Sequence, residues 1–324
     1  MKALVVDSYG SEDQLRWRDY PEPSLEPGGV LVAVKAASVD WSDVVQREGR
    51  YPGGPTPPFI SGSGFAGTVV EAADPELKPG TRVFGLCRGS AAEIVCAARL
   101  SVFKTPSTMT DTEAAGIPGQ FFTADVATRM FGQVSPDDAV LIHAGGGSLG
   151  TAAIQLCRAA GVKTLVATAG SPSKFELMSE LGATHCIDYR SEAFAERVLE
   201  ITDGRGVDLI IDSVGGDVLS ACFDCIAQLG RLVSVGASSG KSTSRFRLHT
   251  LFERNISVAG FTFTDKIRAL PDFQENTAQR LISMFERGEL RPVVRRTFPI
   301  TDAASAHRLL VSRTNTGRTV LVVE

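Results

Sequence analysis

AVLIHAGGGSLGTAAIQLCRAAG, residues 139–161, decides the reading of this chain, because a short apolar run feeds a glycine turn that opens directly into a helical pattern. Val140, Leu141 and Ile142 have the composition of a buried parallel strand, and Gly145, Gly147 and Gly150 fall at the spacing G-x-G-x-x-G ahead of TAAIQLCRAA. Each glycine has a task there: the first permits the tight turn, the second lets backbone approach a pyrophosphate, and the third lets the helix pack close to the strand. The free N–H groups where the helix begins, at Ser148, Leu149 and Gly150, then face the phosphates. An ordinary strand–turn–helix without a ligand is the alternative, and the succession of strand, glycines and helix argues for a dinucleotide cradle over it.

The next strand selects the nucleotide. Folds of this kind that prefer NAD place an Asp or Glu about 20 residues beyond the glycines, for the ribose hydroxyls. Here no acidic residue stands between Asp138 and Glu176, and the strand KTLVAT runs into Ala169-Gly170-Ser171-Pro172-Ser173-Lys174. Ser171, Ser173 and Lys174 offer hydroxyls and a cation without an opposing carboxylate, which suits a 2′-phosphate. The expected cofactor is therefore NADPH; a solvated lysine at a helix start is the alternative for Lys174.

Outward from the cradle the pattern divides. Residues 119–263 alternate strand and helix, with strands expected at 139–143, 163–168, 207–212, 230–235 and 256–260, the pattern of a doubly wound parallel sheet. Residues 1–118 are rich in Gly and Pro and carry short strand-like runs, KALVVD, VLVAVKAASV, GFAGTVVEAA, TRVFGL and AAEIVCA, punctuated by turns such as Glu26-Pro27-Gly28-Gly29. The tail, 264–324, reads as a helix near 272–287, a strand VVRRTFP, a helix TDAASAHRLLVS begun by a Thr/Asp cap, and a closing strand TVLVV. It is assigned back to the first domain, so the fold class is α/β: a β-rich domain plus a Rossmann domain.

The length, 324 residues, agrees with two domains at about 150 residues each. A net charge of −4 gives no bulk attraction to nucleic acid or to an anionic membrane, and neither partner is expected. MKALVVDSYG lacks a signal-peptide core, since Asp7 interrupts the apolar run, which points to the cytoplasm. The six cysteines are expected to be reduced. Cys222 and Cys225 form a C-x-x-C within LSACFDCIAQLG, read as a helix, and without a second pair they are structural filler rather than a zinc or redox site.

Taken together, GTVVEAADPELKPGTRVFG from Gly67, AAGIPGQFFTADVA from Ala114, the glycine turn, VDLIIDSVGG from Val207, GRLVSVGASSG from Gly230 and AHRLLVSRTNTGRTVLVV resemble the zinc-independent medium-chain dehydrogenase/reductases of the quinone oxidoreductase (zeta-crystallin-like) kind. The resemblance spans nearly the whole chain. It implies a GroES-like catalytic domain, 1–118 plus 264–324, around a Rossmann domain, 119–263, and a homodimer formed through the Rossmann sheets. It also implies further cofactor contacts: Gly170 and Lys174 in the NADPH-phosphate loop, with Tyr189 and Arg313 as the remaining phosphate contacts. Thr123 falls beside the nicotinamide, Ser213-Val214 with Gly215 and Gly236-Ala237-Ser238 in the strand-end loops, and Phe261-Thr262-Phe263 across the nicotinamide.

Where the zinc-dependent branch of that superfamily carries a Cys and a Gly-His-Glu, this chain has Asp40 and Gly62-Ser63-Gly64. Asp40 alone cannot complete a zinc site of three protein ligands, and no metal is expected. Departures from the quinone-reductase pattern are Ser148 for a Gly, Asp40 for an Asn, Gly64 for an acidic residue and Val44 for a Tyr. Asp40 has three readings: orienting a substrate, binding Arg47 or Arg50, or capping the next turn. Tyr51 is the candidate hydroxyl beside the acceptor, with packing of its loop as the alternative; Asp43 and Gln120 are further polar residues in segments implied to face the site. The implied reaction is hydride transfer to a small quinone or an α,β-unsaturated carbonyl. Enoyl-thioester reduction is the enzymatic alternative, with Arg245, Arg247, Arg268, Arg295 and Arg296 as candidate groove cations. A non-catalytic NADPH-binding or sensing protein is the alternative of another class.

Overall fold

The computed structural model describes residues 1–241, 248–263, 270 and 273–324. Its contacts divide the chain into two compact units, Met1–Gly119 with Arg268–Glu324, and Gln120–Ile267.

The first unit is built on strands because its apolar residues are β-branched and alternate with small or polar ones. β1 (Lys2–Val6), β2 (Leu15–Asp19) and β4 (Phe59–Ile60) form a small antiparallel sheet in the order β2-β1-β4. The larger sheet takes β3 (Gly29–Val39), β5 (Gly64–Ala72), β6 (Arg82–Leu86), β7 (Ile94–Ala98) and β8 (Val102–Lys104) from the N-terminal part of the chain. β3 is the central long strand, pairing antiparallel with both β5 and β7. It is followed at once by α1 (Trp41–Arg47), and a later helix, α2 (Asp111–Ala115), opens on a capping box in which Thr110 and Glu113 exchange hydrogen bonds. α3 (Pro118–Asp125) then leads out of this part of the chain.

The second unit carries β9 (Ala139–Ile142), β10 (Thr164–Ala169), β11 (His185–Asp188), β12 (Val207–Asp212), β13 (Ile226–Ser234) and β14 (Ser257–Gly260). All pair in parallel, in the order β11-β10-β9-β12-β13-β14. Counted within the unit this is 3-2-1-4-5-6, the doubly wound arrangement whose ligand site lies outside the carboxyl ends of the strands where the order reverses. Buried Val140, Leu141 and Ile142 confirm β9 as a fully covered strand. The helices between the strands are α4 (Ser148–Ala159), α5 (Phe175–Leu181), α6 (Phe194–Ile201), α7 (Gly216–Cys225) and α8 (Leu248–Arg254).

The tail returns to the first unit. α9 (Gln279–Glu286) continues a π-helical turn, Phe273–Ala278, and is followed by β15 (Val294–Pro299), α10 (Ala303–Val311) and β16 (Arg318–Val322). β15 pairs with β16, and β16 pairs with β3, so the tail adds two strands to the first unit's larger sheet.

Three local expectations differ. The helix expected across LSACFDCIAQLG stops at Cys225, because Ile226 turns extended and enters β13 beside β12. Asp302 occupies the N-cap of α10 without a side-chain hydrogen bond, so no Thr/Asp cap starts that helix. β11 was not anticipated, since HCID is short and half-polar. Among the described residues no helix is long and apolar enough to cross a membrane.

Candidate functional site

The glycine turn follows β9 at the point where the strand order reverses. Gly145 packs so closely on β10 that a Cβ there would meet the Ala167 Cβ at 2.9 Å, and its N–H donates to the Thr168 carbonyl at 2.8 Å. Gly150 lies under the turn itself; a Cβ would stand 2.4 Å from the Ala144 carbonyl oxygen and 2.5 Å from the Gly145 Cα. Gly147, the N-cap of α4, has only the Ala144 oxygen within reach, at 3.3 Å, and leaves its outer face open. Gly145 and Gly150 thus clear close contacts and Gly147 leaves open space, and Ser148, Leu149 and Gly150 form the first turn of α4, whose N–H groups point out of the helix.

At the end of β10 the chain enters Gly170 and Ser171 with no carboxylate present. Ser171 caps a short turn, accepting the Ser173 N–H at 3.3 Å and sharing a hydrogen bond with the Ser173 hydroxyl at 2.8 Å. The Lys174 stem lies across Gly146, a glycine outside the spacing motif: a Cβ at Gly146 would meet Lys174 carbons at 2.7, 2.9 and 3.3 Å. The ammonium is therefore carried toward the glycine turn, and its pKa is lowered, first by burial and then by the Arg190 charge. Tyr189, just past β11, places its hydroxyl over Gly170.

Two more loops meet at the carboxyl ends of β12 and β13. Asp212 ends β12 with its carboxylate accepting the Val214 N–H at 2.9 Å and the Gly215 N–H at 3.0 Å. Burial raises its pKa, and those N–H groups oppose the rise. The Ser238 N–H donates to the Ser213 carbonyl at 3.0 Å and the Ser239 N–H to the Val214 carbonyl at 2.9 Å. Ser213-Val214 and Gly236-Ala237-Ser238 are thus stitched into one rim. Thr123, on α3, stands next to Phe122, whose ring lies 6.2 Å from that of Phe263, while Phe261 stacks on Phe131 at 5.0 Å. The 261–263 segment, with Thr262 between these rings, is thereby gathered with Thr123 in the same unit. Arg313 lies in the other unit, at the end of α10, with φ +58.

The first unit holds a different cluster. Asp40, the N-cap of α1, is paired through both carboxylate oxygens with the guanidinium of Arg318, the first residue of β16; one contact is 2.8 Å. Ser63 adds a hydroxyl donor to Asp40 Oδ2 at 3.1 Å. Neither Arg47 nor Arg50 binds Asp40. Arg47 is instead held by Glu12, Glu48, the Gly10 carbonyl and His307, and Arg50 by Glu48. Sequence reasoning missed Arg318 because 278 positions separate it from Asp40; only the β16–β3 pairing brings them together.

Asp43 completes the cluster. Its Oδ2 accepts the Asp40 N–H at 2.7 Å, while Oδ1 is buried without a partner. Burial, then the Asp40 charge, push its carboxyl up to about 8, against the Asp40 N–H bond and the Arg318 charge. Asp43 is therefore a neutral acid at pH 7 beside an Asp40 whose carboxylate oxygens face Arg318. Gly64 has no room for an acidic side chain, since a Cβ would lie 2.5 Å from the Ser38 hydroxyl. Val44 is buried in the core of this unit. Tyr51 is half-buried in its loop, its carbonyl accepting the Gly54 N–H at 3.0 Å. Gln120 is buried, and its Oε1 has no hydrogen-bond partner.

The donors around Asp40 do not fit a zinc ion. The carboxylate is taken by a guanidinium, Gly62 and Gly64 bring no ligand, and among the described residues no three His, Cys, Asp or Glu side chains cluster. Cys222 and Cys225 make local contacts: Cys222 Sγ lies 3.3 Å from His143 Nε2 and 3.2 Å from the Val218 carbonyl, and Cys225 Sγ lies 3.6 Å from the Cys222 carbonyl.

A parallel sheet in this order with a glycine turn at its switch point, in a chain that also carries a GroES-like sheet unit, defines a medium-chain oxidoreductase. Residues 26–126 match the alcohol dehydrogenase GroES-like domain and residues 148–283 the family described as zinc-binding dehydrogenase. The chain is 32% identical to a quinone oxidoreductase of Pseudomonas aeruginosa over 99% of both chains. Among solved structures, Escherichia coli quinone oxidoreductase complexed with NADPH matches at TM-score 0.92 and 26% identity, over 99% of this chain and 100% of that one. CurK enoyl reductase matches at TM-score 0.91 and 25% identity, over 100% and 99%. The chain belongs to the quinone oxidoreductase family of the medium-chain dehydrogenase/reductases, and it is an oxidoreductase.

Proposed function

We propose that this chain is an NADPH-dependent, zinc-independent reductase that transfers hydride to a quinone or an α,β-unsaturated carbonyl. The observation that carries the reading is the end of β10, where hydroxyls and the Lys174 ammonium stand in place of the carboxylate a ribose 2′-hydroxyl would need. Bound NADPH supplies the hydride. The chain's own residues do the rest: the glycine turn and the first turn of α4 hold the pyrophosphate, the Ser213 and Gly236 loops hold the nicotinamide half, and Thr123 with Phe261-Thr262-Phe263 orients its ring. Arg313 is proposed as a further phosphate contact. Tyr51 is assigned the hydrogen bond from its Oη to the acceptor oxygen, which becomes negative as hydride arrives. Asp40, with both oxygens on Arg318, is assigned to positioning.

The test is loss of nicotinamide absorbance with NADPH and NADH in parallel, against ortho- and para-quinones, enones and a crotonyl thioester. NADPH-selective turnover of quinones or enones supports the reading. Turnover confined to the thioester favours enoyl reduction, a second reading motivated by the likeness to CurK enoyl reductase. Of its candidate groove cations, Arg295 and Arg296 are exposed on β15, while Arg245, Arg247 and Arg268 lie outside the described residues. Saturable NADPH binding without oxidation by any acceptor would sustain the binding-protein reading.

A cytoplasmic homodimer formed through the Rossmann sheets belongs to the same proposal. β14 is the open edge of the six-stranded sheet and is mostly exposed, with Val258 at 37%, and Leu229, Leu248 and Phe252 are also exposed in the single chain. An open edge with apolar neighbours is a template for pairing with a second copy. Light scattering should give twice the chain mass, falling to the single mass in Val258→Lys; a monomeric wild-type chain would refute it.

A further inference from the structure

The phosphate end of the cradle holds a second cation that the spacing of the sequence does not single out. A Cβ on Gly170 would stand 2.7 Å from the Tyr189 hydroxyl and 3.0 Å from Arg190 Nε, so both side chains close over the same bare stretch of backbone at the end of β10. The Lys174 stem lies across Gly146. Arg190 is near enough for its charge to depress the Lys174 ammonium, after the effect of burial. The exposed Arg190 guanidinium has no carboxylate or hydrogen-bond partner among the described residues. Asp188, two residues before it, accepts the Arg190 backbone N–H at 3.0 Å instead. Tyr189 and Arg190 thus meet at Gly170, with the Lys174 charge near enough to interact with that of Arg190.

We propose that Arg190 is a specificity-determining residue that closes, with Lys174 and Tyr189, on the 2′-phosphate of NADPH. A phosphate monoester carries between one and two negative charges near pH 7, so one ammonium leaves it only partly neutralised. A guanidinium adds a second positive charge and a planar pair of donors matched to two phosphate oxygens. The anion also removes the repulsion between the two cations, which the non-phosphorylated NADH cannot do. The inference rests on the NADPH reading above.

The experiment is titration of nicotinamide fluorescence with NADPH and with NADH on the wild-type chain, Arg190→Ala, Arg190→Lys and Lys174→Ala, together with the 31P signal of the bound 2′-phosphate. Arg190→Ala is expected to weaken NADPH by about tenfold or more while leaving NADH within about twofold, and to raise the pH at which the bound phosphate takes up its proton. Arg190→Lys recovers part of the loss, since it keeps charge and gives up the fork. Unchanged NADPH affinity in Arg190→Ala, or an equal loss for both nucleotides, overturns the assignment. A wild-type chain that binds both nucleotides equally would remove the NADPH reading and this proposal together. A wild-type preference that Arg190→Ala leaves undiminished removes the proposal alone.

Discussion

Asp43→Asn isolates a buried carboxyl with one unpartnered oxygen. The Asp43 carboxyl is raised to about 8 from an ordinary value of 3.8, by burial first and by the Asp40 charge second. Between those two values the unfolded chain has released the proton while the folded chain keeps it, so stability falls as pH rises through this window. The slope approaches about 1.4 kcal/mol per pH unit, or about 3 kcal/mol between pH 5 and pH 7. Asn reproduces the neutral acid: its amide oxygen accepts the Asp40 N–H, and its NH2 replaces the O–H at the unpartnered Oδ1 position. The variant should match wild type within about 1 kcal/mol near pH 4 and become progressively the more stable protein as pH rises toward 8. Urea midpoints of both proteins, taken in parallel at each pH, give this difference, because groups common to the two cancel. An infrared carbonyl stretch of a protonated buried carboxyl, present in wild type at neutral pH and absent from the variant, checks the same proton directly. Parallel pH profiles for the two proteins would refute the reasoning.

Gly150→Ala would drive a methyl to 2.4 Å from a backbone oxygen, so NADPH and NADH binding should both be lost while the far-UV spectrum is kept, measured by fluorescence titration and circular dichroism. His143 and His307 are both depressed to about 3, by burial in each case and additionally by Arg47 for His307. Their share of stability is present above pH 6.5 and is lost as pH falls toward 3, at up to about 1.4 kcal/mol per unit for each; His307→Gln should flatten the acid limb of a thermal-melt profile. Asp40→Ala leaves the buried Arg318 guanidinium without its carboxylate and should cost about 3 kcal/mol at pH 5, read from urea midpoints. The loss should shrink toward pH 8, where Asp43 ionises more readily in the absence of Asp40.

The strand–glycine–helix unit was legible because it is written in consecutive residues. Strand, glycine turn and helix follow one another within 139–161, and the missing carboxylate at the end of β10 is a local fact. The parallel strands were legible as apolar runs, apart from β11, whose half-polar HCID leans on β10 rather than on its own composition. The Asp40 cluster was not legible. Asp40 and Asp43 look like a helix start, which they are, and nothing local says that a guanidinium from the last strand will take both Asp40 oxygens and leave Asp43 protonated. Ion pairs across a sheet are set by register, and register is fixed by the whole sheet's apolar pattern.

What the sequence does leave visible, once the fold is known, is a distinction between two kinds of glycine. Gly28 and Gly80 have φ of +71 and +87 with nothing within 4 Å of a Cβ, so they serve backbone conformation in turns. Gly64, Gly119, Gly146 and Gly170 are absent from the positive-φ set, yet a Cβ on them would touch, respectively, the Ser38 hydroxyl, the Asp40–Arg318 pair, the Lys174 stem, and Tyr189 with Arg190. Each of these four clears space for a polar or charged side chain to lie against the main chain. Their cost in unfolded-state entropy, about 0.5–1 kcal/mol each relative to Ala, is not returned as turn geometry. It is offset where those side chains hold a charge against bare backbone, as the Lys174 stem does across Gly146. Alanine at Gly80 would therefore strain a turn and leave chemistry intact, whereas alanine at Gly170 would keep the backbone relaxed and push Tyr189 and Arg190 off the place the proposed phosphate contact requires.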